Sequence, residues 1–119
     1  MIYERTLGKI SSETGSIFGY GYSGNGEGKN NPSMENIHNV GPLPKGLYFI
    51  GEPYDSPHTG PFTLPLTPDP SNNMFGRSGF KIHGDSISDP GNASDGCICA
   101  PRKVREEINN CTDKKLYVI

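Results

Sequence analysis

The chain has no tryptophan, no apolar run long enough to cross a bilayer and no marked excess of charge of either sign. Each absence excludes something. A membrane-spanning helix needs roughly 20 consecutive apolar residues, and none are present. The opening Met1-Ile2-Tyr3-Glu4-Arg5-Thr6 meets polar residues at once, so no apolar signal region is recognised, and the expectation is a product made in the cytoplasm without a signal peptide. A net charge of −2 with mixed signs offers no cationic stripe, so neither nucleic acid nor membrane is an expected partner. Without tryptophan, the large core side chains fall to six tyrosines and five phenylalanines. The three cysteines, Cys97, Cys99 and Cys111, cannot all pair within one molecule; with Cys97 reactive, a Cys99–Cys111 disulfide stays open but is not required.

Glycine and proline, by contrast, are abundant. Sixteen glycines and eleven prolines among 119 residues call for many turns between short strands, and the length suits one domain, 1–119. Tyr3 to Ile10 and Ile17 to Tyr22 read as two paired strands around the turn at residues 11–15. Residues 23–31 read as a flexible surface loop, because their glycines lack the strand-to-helix context of a phosphate cradle. The rigid turn Gly41-Pro42-Leu43-Pro44-Lys45-Gly46 feeds a buried strand at Leu47 to Ile50. Prolines 53, 57, 61, 65, 68 and 70 predict an extended crossover over 52–73, with one short strand near Phe62 to Leu64 and a place in the wall of a cleft. Pro101 suits a first helical position, and Val104, Ile108 and Cys111 share one face of a helix of about ten residues. Leu116 to Ile119 is expected as a closing strand covered on both faces. The fold class is mainly β with one late helix.

The chemistry concentrates between residues 80 and 98. Gly79-Phe80-Lys81-Ile82-His83 alternates toward a histidine at a strand end, and Asn92-Ala93-Ser94-Asp95-Gly96-Cys97-Ile98 carries a cysteine behind a glycine. Pairing the two has a purpose, since a thiol is only a few per cent thiolate at neutral pH unless a base or a dipole draws its proton. His83 is the candidate base and Cys97 the candidate nucleophile, which iodoacetamide is then expected to label well below the pH set by a free thiol of pKa about 8.5. The positive end of the helix at Pro101 would act in the same direction. His38 and His58 lie in loops without ligand spacing, and Cys97 and Cys99 are one residue apart, unlike a zinc knuckle, so neither metal nor cofactor is expected.

Ile82-His83-Gly84 followed by Ser94-Asp95-Gly96-Cys97-Ile98 resembles the signature of L,D-transpeptidase (YkuD-like) catalytic domains, and more closely the compact Tlde1-like, or DUF2778, branch. For that branch the likeness extends to Ser23-Gly24-Asn25-Gly26, Asn30-Asn31-Pro32, Gly41 to Tyr48 and His83-Gly84-Asp85, nearly the whole chain. It implies a compact β-sandwich or curved sheet. It also implies a cysteine enzyme acting on peptidoglycan tetrapeptide stems as an L,D-carboxypeptidase or L,D-transpeptidase. Members of the branch include toxins delivered by type VI secretion into the periplasm of rival cells, which implies a cognate immunity protein as partner. Cys97 would form the thioester and His83 would move the proton. The carbonyl of Gly84, or Asp85, would orient the imidazole, amides around Gly96 and Cys97 would form the oxyanion hole, and Ser94 would bond the loop or substrate. Two departures stand out: Asp95 occupies the place of a second histidine, and Cys99 that of an arginine able to hold a substrate carboxylate. Another wall amidase or endopeptidase using the same pair, and a non-catalytic wall-binding module with a structural Cys97, remain alternatives.

Overall fold

The computed structural model describes residues 1–119. Ten strands form one mixed sheet: β1 (Ile2–Glu4), β2 (Lys9–Ser11), β3 (Ile17–Tyr20), β4 (Tyr22–Ser23), β5 (Gly46–Ile50), β6 (Tyr54–Ser56), β7 (Gly60–Pro68), β8 (Lys81–His83), β9 (Ile98–Cys99) and β10 (Lys115–Val118). A single helix, α1 (Arg102–Asn110), lies between β9 and β10. The sheet runs β3-β2-β1-β10-β5-β7-β8-β9-β4, and β6 pairs with β7 at its side. The mainly β class with one late helix is what the glycine and proline content called for.

Several elements differ from the sequence expectation. Tyr3 to Ile10 is not one strand but the hairpin β1–β2, closed through Gly8 at φ 67°, which leaves Leu7 exposed at the turn while Tyr3 and Ile10 enter the core. The largest difference is the proline-rich segment, where a crossover was expected. Residues 60–68 form the longest strand, β7, pairing with β5 on one side and β8 on the other. Proline removes a donor but not an acceptor. Pro65 O still receives Gly51 N–H at 2.9 Å, and Leu66 N–H reaches Phe80 O at 3.1 Å, so the ladder loses single bonds without breaking. In β10, Tyr117 is 40% exposed, and Phe49 of neighbouring β5 is 39% exposed. The middle of the sheet is therefore covered on one face here, not on both.

The core follows from strand alternation. Tyr48, Leu64, Ile82, Ile98 and Leu116 are fully buried, and Val104 and Ile108 bring the apolar face of α1 to the same cluster. The helix packs on β7 and β3. Its approach to β3 depends on Gly19, where a Cβ would collide with Val104 Cγ2. Arg102 and Glu106 form the i,i+4 pair at 3.5 Å on the outer face. All three cysteines are free thiols, so no disulfide joins Cys99 to Cys111.

Candidate active site

Parallel pairing of β8 with β9 builds the site. The register sets Ile82 beside Ile98 and His83 beside Cys99, with Cys97 directly before β9. The buried isoleucines fix that register, because a one-residue slip would turn His83 into the core. His83 is itself buried, and its Nδ1 lies 2.8 Å from Gly84 O, which selects the tautomer that donates from Nδ1 and leaves Nε2 as the acceptor. Burial holds the imidazole below its ordinary pKa; the Gly84 carbonyl opposes this in part, while the charges of Arg105 and Lys81 reinforce it. At neutral pH the ring is therefore an unprotonated base.

The thiol nearest the ring is not the one expected. Cys99 Sγ lies 3.8 Å from His83 Nδ1 and 4.0 Å from Nε2. Near-equal distances place the sulfur between the two nitrogens and along neither lone pair, so the contact is one of packing. Cys99 is 1% exposed, and burial pushes its thiol up to about 12. It is a floor beneath the imidazole. Cys97 is half-buried, and its Sγ faces Gly79 O at 3.8 Å instead of His83. Burial raises its pKa above the ordinary thiol value, and Asp95 adds to this; the Lys81 amide, with the charges of Lys81 and Arg77, offsets only part. The direction is opposite to that expected of a pre-ionised nucleophile, and His83 is not among the groups that lower it.

The cysteine loop is held from three sides. Ser94, fully buried, donates its hydroxyl to Cys97 O at 2.5 Å and accepts from Gly24 N–H at 2.8 Å and Gly96 N–H at 3.1 Å. It is a staple inside the loop, and it occupies the Gly96 amide that the sequence reading offered to an oxyanion. Ser23 Oγ donates to Gly96 O at 2.7 Å while accepting from Leu43 N–H at 2.8 Å, and Asn25 Nδ2 reaches Ser94 O and Asp95 Oδ1. Residues 23–25 are thus a clamp, with Ser23 and Gly24 buried, where a free surface loop was expected. Arg77 supplies the third hold. Its guanidinium donates to Glu35 O, Pro42 O, Gly41 O and Asp95 O at 2.6 to 3.1 Å, tying the proline turn to the loop. Nothing in the local sequence marks Arg77 for this.

Asp85 does not reach the imidazole either. Partial burial raises its carboxyl, but Tyr22 Oη at 2.6 Å and the amides of Gly91 and Ser86 outweigh that and hold it below the ordinary carboxylate range. Tyr22 Oη also accepts Ala93 N–H at 2.9 Å, so one phenol fastens both ends of the 85–93 loop. Tyr22→Phe is expected to cost about 1–2 kcal/mol and to speed amide exchange at Gly91 and Ala93, measurable by hydrogen–deuterium exchange.

His83 and Gly84 open onto a groove of about 680 Å³, walled by His58 to Pro61 of the β6–β7 turn, by residues 85–88 and by Arg102 and Arg105 of α1. The proline-rich segment thus does form one wall of the cleft. Arg102 is partly neutralised by Glu106 and stacks on Phe62 at 4.5 Å. In sequence Arg102 is legible only as the i,i+4 partner of Glu106, and neither arginine is marked for the groove. The chain matches the family model described as the Tlde1 domain over residues 19–117, a span that contains every residue of the site. No curated protein and no solved structure matches it significantly.

Proposed function

Because the chain belongs to the Tlde1 domain family, we propose that it is a cysteine-dependent L,D-carboxypeptidase and L,D-transpeptidase acting on peptidoglycan tetrapeptide stems. The observation that carries this reading is the neutral, oriented His83: Nδ1 is engaged by Gly84 O, which leaves Nε2 as the acceptor, and the residue lines a groove and pairs with the strand that Cys97 introduces. Cys97 Sγ leaves Gly79 O, turns to Nε2 and gives up its proton as it attacks the carbonyl between the L-centre of the third residue and the terminal D-alanine. A C–S bond forms, the carbonyl oxygen becomes an oxyanion, and the Cys97 amide is the donor of the Gly96–Cys97 pair not taken by Ser94. As the C–N bond breaks, His83 returns the proton to the leaving amine. Water, or the amine of another D-amino acid, then opens the thioester with His83 again as base.

This mechanism starts from thiol and imidazole, not from an ion pair, and so makes a statement about pH. His83 must be unprotonated, and its pKa lies below 6.5. The acidic limb of kcat/KM is therefore expected below pH 6.5, with a rate that rises as pH increases through it. A limb at pH 9 or above would mean that only the pre-formed Cys97 thiolate reacts and that His83 is not the base.

The test of the reaction is mass spectrometry of tetrapeptide muropeptides incubated with the protein and with Cys97→Ala, each with and without added D-methionine. Loss of D-alanine, or its replacement by D-methionine, in the unmodified protein alone supports the reading. Unchanged muropeptides in both would transfer weight to a wall-binding module. On the family resemblance we further propose an antibacterial effector that acts in the periplasm of a target cell and is opposed by an immunity protein in its producer. Growth arrest on periplasmic, but not cytoplasmic, expression is the expected result.

A further inference from the structure

Arg105 is 6% exposed, and two of its three guanidinium nitrogens are fully used. Nε donates to Ala100 O at 3.1 Å, and Nη1 donates to Pro61 O and Phe62 O at 2.8 and 2.9 Å. These bonds pin α1 to β7 and fix the guanidinium plane. Nη2 makes no hydrogen bond within the protein, yet it is not sealed in the core. It lies against Gly84, where a Cβ would meet it at 2.9 Å, and it borders the groove that holds His83. None of the four ion pairs of the molecule includes Arg105, and Asp85, the carboxylate of the same groove, is bound by Tyr22, Ser86 and Gly91. A structural pin needs only Nε and Nη1. The remaining nitrogen presents two N–H donors and an unneutralised charge, immobilised at the place where the groove meets the catalytic histidine.

A buried cation without a counter-charge is an incomplete site for an anion. We propose that Arg105 Nη2 binds the free terminal carboxylate of the residue that leaves. The inference rests on the reaction proposed above, which also decides the ligand. His83 protonates the leaving amine, and in a one-residue leaving group the carboxylate carbon is only two bonds from that nitrogen. The group next to His83 along the backbone is Gly84, and the cation against Gly84 is Arg105. Amine and carboxylate of one D-amino acid thus fall on neighbouring protein groups. The same pairing receives the D-amino acid acceptor in the exchange direction. An enzyme so built removes or exchanges a terminal residue and disfavours cleavage within a longer peptide, where the carboxylate is an amide. Gly84 is required for this approach, since any side chain there would displace Nη2.

The test leaves the protein unaltered and changes the substrate. The tetrapeptide ending in D-alanine is compared with the same peptide ending in D-alaninamide, which keeps the scissile bond and removes the charge. The expected result is a kcat/KM about 10- to 100-fold lower for the amide, the size of a charge-assisted hydrogen bond. In a folded Arg105→Lys variant, whose shorter ammonium cannot both pin α1 and reach past Gly84, the gap is expected to shrink toward unity. Equal turnover of carboxylate and amide would overturn the role of Arg105 while leaving the cysteine reaction standing. Cleavage of neither peptide would overturn both. A gap that persists unchanged in Arg105→Lys would assign the carboxylate to another cation.

Discussion

Cys97→Ala is expected to lower release of D-alanine by at least about 10³-fold, with an unfolding midpoint close to that of the unmodified protein. Its side chain is half-buried, its contact with Gly79 O is long and the Lys81 amide is its other polar neighbour, so little folding energy depends on it. Cys99→Ala is the informative control. Cys99 lies closer to His83, and proximity alone would name it the nucleophile. It is nevertheless sealed, its thiol is held protonated by burial, and its sulfur points along neither lone pair. The expected outcome for Cys99→Ala is retained turnover with a stability loss of about 1 kcal/mol from the vacated volume. His83→Ala should cost about 10²- to 10⁴-fold in turnover, the ordinary worth of a general base. Inactivity of Cys99→Ala beside full activity of Cys97→Ala, measured by chromatography of the released amino acid, would exchange the roles of the two thiols.

The second large effect concerns a residue that takes no part in the proposed bond making but braces the loop that carries Cys97. Arg77→Met is expected to destabilise the fold by about 3–5 kcal/mol and to abolish turnover in whatever protein remains folded. Methionine matches the length of the side chain but leaves four carbonyl oxygens, those of Glu35, Gly41, Pro42 and Asp95, without their shared donor. Each unmet buried acceptor costs about 1–3 kcal/mol, and water can reach only some of them. Asp95 is two residues before Cys97, so the same loss loosens the cysteine loop. Chemical denaturation of the variant checks the energy, and a near-normal midpoint would show that the turn and the loop hold without it.

What the chain announces locally is what its side chains do within a few residues. The run Leu47 to Ile50, the helix behind Pro101 and the histidine closing Lys81-Ile82-His83 are each found where apolar spacing and a bounding glycine or proline put them. The Gly84 carbonyl that the imidazole meets is the neighbouring residue, and was within reach for that reason. What stayed illegible depends on distance along the chain. Strand β7 exists because β5 and β8 flank a proline-rich segment and supply the bonds it can still make, a tertiary effect that local propensity opposes. Arg77 and Arg105 look like any solvent-facing cation in sequence. Their partners lie up to 42 and 44 residues away, and only the folded turns converge on them. Ser23 and Asn25 were visible as a motif, but its purpose, bracing a loop some 70 residues later, was not.

The pairing of an uncharged imidazole with a proton-retaining Cys97 also governs how the protein withstands oxidants. Sulfenic acid and mixed disulfides form from thiolates, and a sulfur kept protonated by burial, with its hydrogen on Gly79 O, reacts slowly with peroxide or with a foreign disulfide. Its two companion thiols give little help to such damage, since Cys99 is sealed and Cys111 is half-buried at the end of α1. An enzyme whose nucleophile is a permanent thiolate must be guarded by a reducing compartment. One whose sulfur ionises only when a substrate carbonyl is in place carries that protection in its own resting state.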